Sequence, residues 1–191
     1  IVSCNTTNDN VDDKIPQDQQ LLSALQAIPK ADIPAGFENT QMCKDVYLPG
    51  EDHIPGTTSR GAVITNKKWT NGSVITVGLY GGSTYVRNKV MQYAKEWSKY
   101  ANITFNFVTT GTPQIRVTFT SGAGSYSYIG KDALSIASNK ETMNFGWFTD
   151  TTSDTEFSRT VIHEFGHALG MIHEHQHPLA AIPWDKPKVY A

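Results

Sequence analysis

The sequence predicts an α/β fold in which a mixed, mainly parallel twisted sheet packs against a backing helix and a second helix that carries histidines. Three observations predict it. Strand-like alternation occurs between residues 74 and 119, a helical pattern lies between two of these strands, and a histidine-rich helix follows near residue 163. A helix that joins two strands allows them to run parallel, so we expect most of the sheet to be parallel.

Size and charge exclude several functions. The 191 residues are 39% hydrophobic, which suffices for one medium domain with an appendage. The formal net charge of −2 shows no excess of basic residues for binding phosphates, so we expect no nucleic-acid partner. The chain lacks a run of about 18 apolar residues, so we also expect no membrane span.

The N-terminal third differs in amino-acid composition from the rest. In residues 1–60, Asn, Asp, Gln and Pro surround two short apolar islands. The first island predicts a short amphipathic helix within residues 18–29, and the prolines and glycines that follow indicate extended chain laid over a surface. We interpret residues 1–60 as a propeptide, cleaved near Arg60, and residues 61–191 as catalytic.

The first half of the catalytic part predicts a strand, a helix and two further strands. Residues 74–80 are rich in β-branched side chains and follow an Asn-Gly turn. Apolar residues then recur on one face of a helix at residues 83–100. These residues are Val86, Val90, Tyr93, Ala94 and Trp97. Strict alternation at residues 103–107 and 115–119 predicts the next two strands.

Residues 124–130, GSYSYIG, predict the edge strand of the sheet. Tyr126 and Tyr128 are two apart, so they project from the same face. An ordinary strand with exposed tyrosines is the alternative interpretation.

A helix at residues 154–169 is predicted to carry the chemistry. Ser153 and Glu156 have the spacing of a capping box at its start. His163 and His167 are four residues apart, so their imidazoles lie on one face and can bind one metal ion.

His173 is the predicted third ligand. On a straight helix it would lie roughly 15 Å from His163, so the helix must end before it. Gly170 accepts the left-handed conformation that ends a helix and turns the chain back toward the metal.

Three imidazoles that leave a fourth position open are typical of a catalytic zinc site. Glu164, next to His163, is the candidate general base for a water molecule that Zn²⁺ activates. A helix that is merely rich in histidine is the alternative, but it would not require all of these offsets.

The pattern HExxHxxGxxH resembles that of the metzincin clan of zinc endopeptidases. Glu174, directly after the third histidine, narrows the resemblance to the astacin family, as do residues 124–130 and the LSI of residues 134–136. His177 stands where astacins usually have arginine, and residues 182–190 are more similar to bacterial astacin-like peptidases.

The resemblance implies a zincin fold, of which this chain would supply the N-terminal subdomain. Tyr126, Ser127 and Tyr128 would border the cleft and bind substrate as an added antiparallel strand. Glu174 would receive the new N-terminus after cleavage. The methionine turn and zinc-proximal tyrosine of the family cannot be placed after His173, so a lower subdomain is expected beyond Ala191 as a further partner.

The function predicted from these features is a secreted zinc endopeptidase that acts on proteins and peptides and is inhibited by its own propeptide. One alternative is a catalytically silent zinc-containing binding or adhesion module, which would not need Glu164. Another is an inhibitory or chaperone-like role for residues 1–60.

A cysteine on the zinc is the predicted cause of latency, as in matrixins. Both cysteines, Cys4 and Cys43, lie in residues 1–60. Cys4 is preferred because polar residues suited to a cleft follow it. Cys43 is the alternative, since its apolar neighbours predict a packed segment in which it is a buried small hydrophobe. An acidic ligand near residues 51–52, or no such switch, is a lesser possibility for latency. Lipid anchoring of the protein at Cys4 is a separate, minor possibility for its localisation.

Overall fold

The computed structural model describes residues 41, 43–49 and 63–173 of the chain. The predicted helix within residues 18–29, Cys4 and the cleavage site at Arg60 lie outside the described residues. So do Glu174, His177 and the rest of residues 174–191.

The described residues contain six strands and two α-helices, joined by loops and short 3-10 turns. They are β1 Cys43–Val46, β2 Val74–Tyr80, α1 Thr84–Ala94, β3 Thr104–Phe107, β4 Ile115–Thr118, β5 Ser125–Tyr128, β6 Met143–Asn144 and α2 Asp154–Ala168. The 3-10 turns are Thr65–Lys67, Lys95–Lys99 and Gly130–Ser135. Neither α-helix of this part of the chain is long and apolar enough to cross a membrane.

The six strands form one sheet in the order β1-β5-β6-β4-β2-β3. Every neighbouring pair is parallel except β5 and β6, which are antiparallel. The prediction of a mixed, mainly parallel sheet is therefore confirmed. The antiparallel pair places β5 beyond β6, on the side of the sheet where β1 lies.

The first strand and helix follow the sequence pattern closely, except at the end of the helix. β2 spans the predicted residues, and Ser83 caps α1 by accepting a hydrogen bond from the backbone N–H of Val86 (3.1 Å). The predicted helix to residue 100 is only partly correct. The α-helix ends at Ala94, and Lys95–Lys99 forms a tighter 3-10 turn, as is common at helix C-termini. Trp97 in this turn donates to the carbonyl of Ile162 on α2 (2.9 Å).

β5 is not the edge strand that its sequence predicts. β1 pairs with its outer side in parallel, with Cys43 opposite Ser125 and Val46 opposite Tyr128. The sequence showed a strand with one polar side, which is typical of an edge. It did not show that an earlier segment of the same chain covers that edge.

The core lies between the sheet and the two helices. Its fully buried side chains come from β2, α1, β4, β6 and α2, and include Ile75, Val77, Val90, Val117, Met143, Phe145, Phe157, Val161 and Phe165. Phe165 meets Phe105 edge to face, with ring centroids 4.9 Å apart. Each buried large side chain stabilises the fold by about 1.5–3 kcal/mol. One face of α2 is thereby fixed in the core, which leaves the opposite face for the histidines.

Residues 63–69 form hydrogen bonds with the last turn of α2 and the residues just after it. Val63 forms an antiparallel bridge with Met171, and the N–H of Ile64 donates to the carbonyl of Gly170 (2.9 Å). Trp69 donates its indole N–H to the carbonyl of Ala168 (2.7 Å). The last turn of α2 and the residues just after it are therefore supported from outside the helix.

A second attachment joins this segment to the turn after β5. Lys67 Nζ and Asp132 Oδ2 form a buried ion pair 2.5 Å long. Gly130 has φ of +53°, and a Cβ atom there would lie 2.1 Å from the carbonyl oxygen of Lys67. The backbone of Gly130 therefore lies against the backbone of Lys67, and no side chain fits at this position.

We predict that Gly130→Ala destabilises the protein much more than Gly111→Ala. Both glycines have positive φ, which costs an alanine about 1–2 kcal/mol, but a Cβ at Gly111 would meet nothing within 4 Å. The additional clash with Lys67 should cost about 1–3 kcal/mol more. Denaturant unfolding of both variants measures the difference, and equal losses would show that the contact between Gly130 and Lys67 is unimportant.

Candidate metal centre

The start of α2 is capped by one of the two residues that the sequence pattern predicts. Ser153 Oγ accepts a hydrogen bond from the N–H of Glu156 (3.2 Å). The side chain of Glu156 does not return the bond. It accepts instead from Trp147 Nε1 (2.9 Å), from Thr160 Oγ1 (2.9 Å) and from Arg159. The capping box is therefore half formed, because three other donors bind the glutamate.

His163 and His167 meet on the open face of α2, as their spacing predicts. Their Nε2 atoms are 3.1 Å apart and their rings are nearly perpendicular. His167 is buried, with 4% of its surface exposed, whereas His163 faces the solvent side. The two nitrogens point to a common centre between the helix and the sheet edge.

Gly170 ends the helix and returns the chain, with φ of +106°. The N–H of Gly170 donates to the carbonyl of His167 (2.8 Å), and the N–H of Met171 donates to that of Gly166 (3.0 Å). This pair of bonds is a Schellman motif. As a result, His173 Nε2 lies 3.1 Å from His163 Nε2, beside the ring that it could not reach from a straight helix.

The same turn sets the tautomer of His167. Its Nδ1 lies 2.8 Å from the carbonyl oxygen of Met171, which can only accept a hydrogen bond. Nδ1 must therefore carry the hydrogen, and Nε2 keeps its lone pair for a metal.

Cys43 brings a fourth donor atom to the three histidines. Its Sγ lies 3.5 Å from His167 Nε2, and the four donor atoms all lie within 4.8 Å of one another. Zn–N bonds of about 2.1 Å and Zn–S bonds of about 2.3 Å give tetrahedral edges of roughly 3.4 and 3.6 Å. The donor set and its spacing therefore fit one tetrahedral Zn²⁺.

The pairing of β1 with β5 brings Cys43 to this position. Cys43 opens β1 and lies opposite Ser125, at the end of β5 nearest the histidines. Cys43–Val46 forms a strand that runs along β5, and Cys43 and Val46 are half-buried there. Cys4, preferred from the sequence, lies outside the described residues. The residues after Cys43, which predict a packed segment, were interpreted as evidence for a buried structural cysteine, but their ability to form a strand is the signal that could have identified Cys43.

Glu164 is fully buried beside His163. It is one residue further along α2, so its side chain leaves the helix at about 100° from that of His163, and it does not reach solvent. The pKa of Arg159 is raised mainly by its hydrogen bond to Glu156, and the negative charge of Glu164 is a smaller cause. The structure therefore places a carboxylate within the group of side chains around the metal position.

The predicted cleft strand has its two tyrosines on one face and its serines on the other. Ser125 and Ser127 are buried, while Tyr126 and Tyr128 are half-buried. The Tyr126 hydroxyl donates to Glu141 Oε1 (2.6 Å). Burial is the main cause that raises the pKa of Tyr126 far above its usual value, and the hydrogen bond to Glu141 is the second. Tyr126 is therefore neutral, and its hydroxyl is held by Glu141.

Comparison with known proteins gives one family. The family model of astacin, which describes a family of peptidases, matches residues 62–179, more than half of the chain. The match includes all three histidines and Glu164 but not Cys43. Comparison with curated proteins gives no match.

Two solved structures of myroilysin resemble the chain. One is 82% identical with a TM-score of 0.67, over 68% of this chain and 63% of that one. The other is 72% identical with a TM-score of 0.68, over 87% of this chain and 66% of that one. The chain thus spans just under two-thirds of the length of each myroilysin chain.

We predict that, in the protein cleaved near Arg60 and so without Cys43, replacing His163, His167 or His173 by alanine removes most of the bound zinc, because two ligands cannot hold the ion. Zinc content per molecule, measured by elemental analysis of the purified protein, tests this. His175→Ala is the matched control and should keep about one zinc. Full zinc occupancy in His173→Ala would show that the turn at Gly170 does not deliver a ligand.

Proposed function

Because the chain belongs to the astacin family of zinc peptidases, we propose that the protein is a secreted zinc endopeptidase that its own N-terminal segment holds latent. The observation that carries this proposal is the convergence of three imidazoles beside a buried glutamate, with Cys43 at the fourth position. Three histidines would remain for the metal once Cys43 withdraws, which is the ligand set of an open, catalytic site.

His163, His167 and His173 would hold Zn²⁺, which would supply the Lewis acidity that activates a water molecule and polarises a carbonyl. Glu164 then acts as the general base. Its carboxylate accepts the proton of the attacking water and later passes that proton to the leaving amine. The peptide C–N bond breaks without a covalent link between substrate and protein.

Substrate is proposed to bind along β5 as an antiparallel strand. The backbone of Tyr126, Ser127 and Tyr128 would form the ladder, so proteins and peptides of varied sequence can be held. β1 now occupies this position, and it pairs with β5 in parallel. The N-terminal segment therefore runs opposite to the proposed substrate, so it fills the cleft without presenting a peptide bond in the orientation for cleavage.

Cys43 is proposed as the residue that blocks the metal in the latent form. A thiolate is a good zinc ligand, and the position of its Sγ fits the fourth corner of a tetrahedron. We therefore assign the block to Cys43 in preference to Cys4. The pairing of β1 with β5 adds backbone hydrogen bonds that keep the thiol in place.

The boundary between the inhibitory and catalytic parts is proposed to lie near Arg60. Two observations support it: β1 precedes this point, and the chain from Val63 onward is bonded to the end of α2. Cleavage at Arg60 would release residues 1–60 and keep residues 61–191. Three further parts of the proposal rest on the family resemblance. They are secretion, a contact of Glu174 with the new N-terminus after cleavage, and a lower subdomain after Ala191.

A catalytically silent zinc-binding or adhesion module is the alternative function. It would need the three histidines, but it gives no role to a fully buried carboxylate next to them, where burial without a function is costly. The peptidase explains both features.

We predict that Glu164→Gln lowers casein hydrolysis by the activated protein by about 10²–10⁴-fold, because the general base is lost. Zinc content should stay near one per molecule. Glu96, a partly exposed glutamate in the turn after α1, binds Lys99 through its side chain. Glu96→Gln is the matched control and should keep its activity. Full activity in Glu164→Gln would contradict its role as base.

Replacement of Cys43 is predicted to remove latency. Cys43→Ser should be proteolytically active, or should process itself, as soon as it is made, whereas Cys4→Ser should stay latent until it is cleaved. Casein hydrolysis before and after limited proteolysis measures latency, and N-terminal sequencing of the active form should give a start close to Gly61. If Cys4→Ser is active and Cys43→Ser is latent, the assignment is reversed.

A further inference from the structure

Met171 supports the metal centre through its backbone. Its N–H donates to the carbonyl of Gly166 (3.0 Å), and its carbonyl oxygen lies 2.8 Å from His167 Nδ1, from which it accepts a hydrogen bond. Met171 also forms the antiparallel bridge with Val63. A displacement of residue 171 would therefore disturb His167 directly, and it would disturb His173, which lies two residues further along the chain.

The side chain of Met171 packs on α2 at Gly166. A Cβ atom at Gly166 would lie 3.6 Å from Met171 Sδ and 3.2 Å from Trp97 Cζ2. The sulfur and the edge of the indole ring therefore lie against the same point of the helix, where residue 166 has no side chain to separate them from the backbone. Methionine sulfur packs favourably beside aromatic rings. Apolar packing thus anchors residue 171 to the helix that carries the other two histidines.

This packing site is unsuited to a polar group. Trp97 donates its indole N–H to the carbonyl of Ile162 (2.9 Å), so this donor is already used. An oxygen atom added to Met171 Sδ would either stay against the helix without a hydrogen bond or carry the side chain out into solvent. In both cases the anchor of residue 171 is weakened.

Met171 is also within reach of a dissolved oxidant. It is half-buried, as is Met91 on α1, whereas Met143 is fully buried in the core. Residues 61–191 contain no cysteine, so methionines carry all the sulfur in the part that activation would keep. Exposed sulfur atoms are the usual first targets of peroxides.

We propose that Met171 is an oxidative modification site through which hydrogen peroxide weakens zinc binding in the activated protein. The inference rests on the proposed function. A lone pair of Sδ attacks one peroxide oxygen and the O–O bond breaks. The proton of the transferred oxygen passes to the leaving hydroxide, which becomes water. Sulfur loses two electrons, the peroxide gains them, and the product is methionine sulfoxide, which reductases can convert back to methionine.

The sulfoxide acts on the metal centre through the position of residue 171. The carbonyl that sets the tautomer of His167 belongs to this residue, and the turn that carries His173 runs through it. Loss of such outer contacts typically weakens metal binding or activity about 10–100-fold. The bonds to Gly166 and Val63 also hold residue 171, so we expect the lower end of this range, about tenfold.

The test treats the activated, zinc-loaded protein with hydrogen peroxide at a concentration that oxidises Met91. Peptide mass mapping locates the sulfoxide, casein hydrolysis measures activity, and a chelator measures how fast zinc is lost. As sulfoxide accumulates at Met171, activity should fall about tenfold and zinc loss should become about tenfold faster. Treatment with the two methionine sulfoxide reductases, one for each epimer, should reverse both changes.

Met171→Leu and Met91→Leu are the matched variants, because leucine has a similar volume and cannot take up oxygen. Each variant is compared with its own activity and its own rate of zinc loss before peroxide. Met171→Leu should be unaffected by peroxide, whereas Met91→Leu should respond as the wild type does.

Four results would overturn the inference. They are a Met171 that stays reduced, a Met171 that is oxidised without any change in activity or zinc loss, a Met171→Leu variant that responds to peroxide as the wild type does, and a reduced Met171 that does not recover activity. Each of them leaves the proposed peptidase intact, because activity before peroxide is the test of that function. If the activated wild type hydrolyses no casein before peroxide while it holds one zinc, the proposed function fails, and mass mapping with the rate of zinc loss still tests Met171.

Discussion

The metal centre depends on the left-handed turn at Gly170. Two histidines on one helical face supply only two ligands, and the helix axis carries any later residue away from them. The Schellman bonds at Gly170 and Met171 reverse the chain within three residues and bring His173 to His163. The carbonyl of Met171 also fixes the tautomer of His167. One turn therefore brings the third candidate ligand, His173, to the other two histidines and orients His167.

The chain supports this turn from outside the helix. Val63 and Ile64 bond to residues 170 and 171, and Trp69 bonds to Ala168. The buried ion pair of Lys67 connects the same segment to the turn that follows β5. The end of the histidine helix and the end of the cleft strand are thus joined through residues 63–69. Their relative position is fixed, although they lie far apart in the sequence.

Strand pairing between β1 and β5 combines two inhibitory contacts in the proposed latent form. The pairing fills the ladder that a substrate would use, and it carries Cys43 to the metal position at the end of the strand. Both contacts are lost together when the N-terminal segment leaves. The bonds among Trp147, Glu156 and Arg159 would remain, because all three residues lie in residues 61–191.

The local features of the site followed from the sequence. The spacing of His163 and His167, the strand of β2 and the helix break at Gly170 are set by backbone periodicity and by the conformational freedom of one glycine, which neighbouring residues alone decide. Only the tertiary structure brought Cys43 to the histidines, placed β1 outside β5 and bonded Glu156 to Trp147 and Arg159. Cys43 and His167 are 124 residues apart, and no periodicity encodes such a contact. It forms because an unpaired strand edge binds another strand, and the segment that covers this edge is chosen by packing across the whole fold.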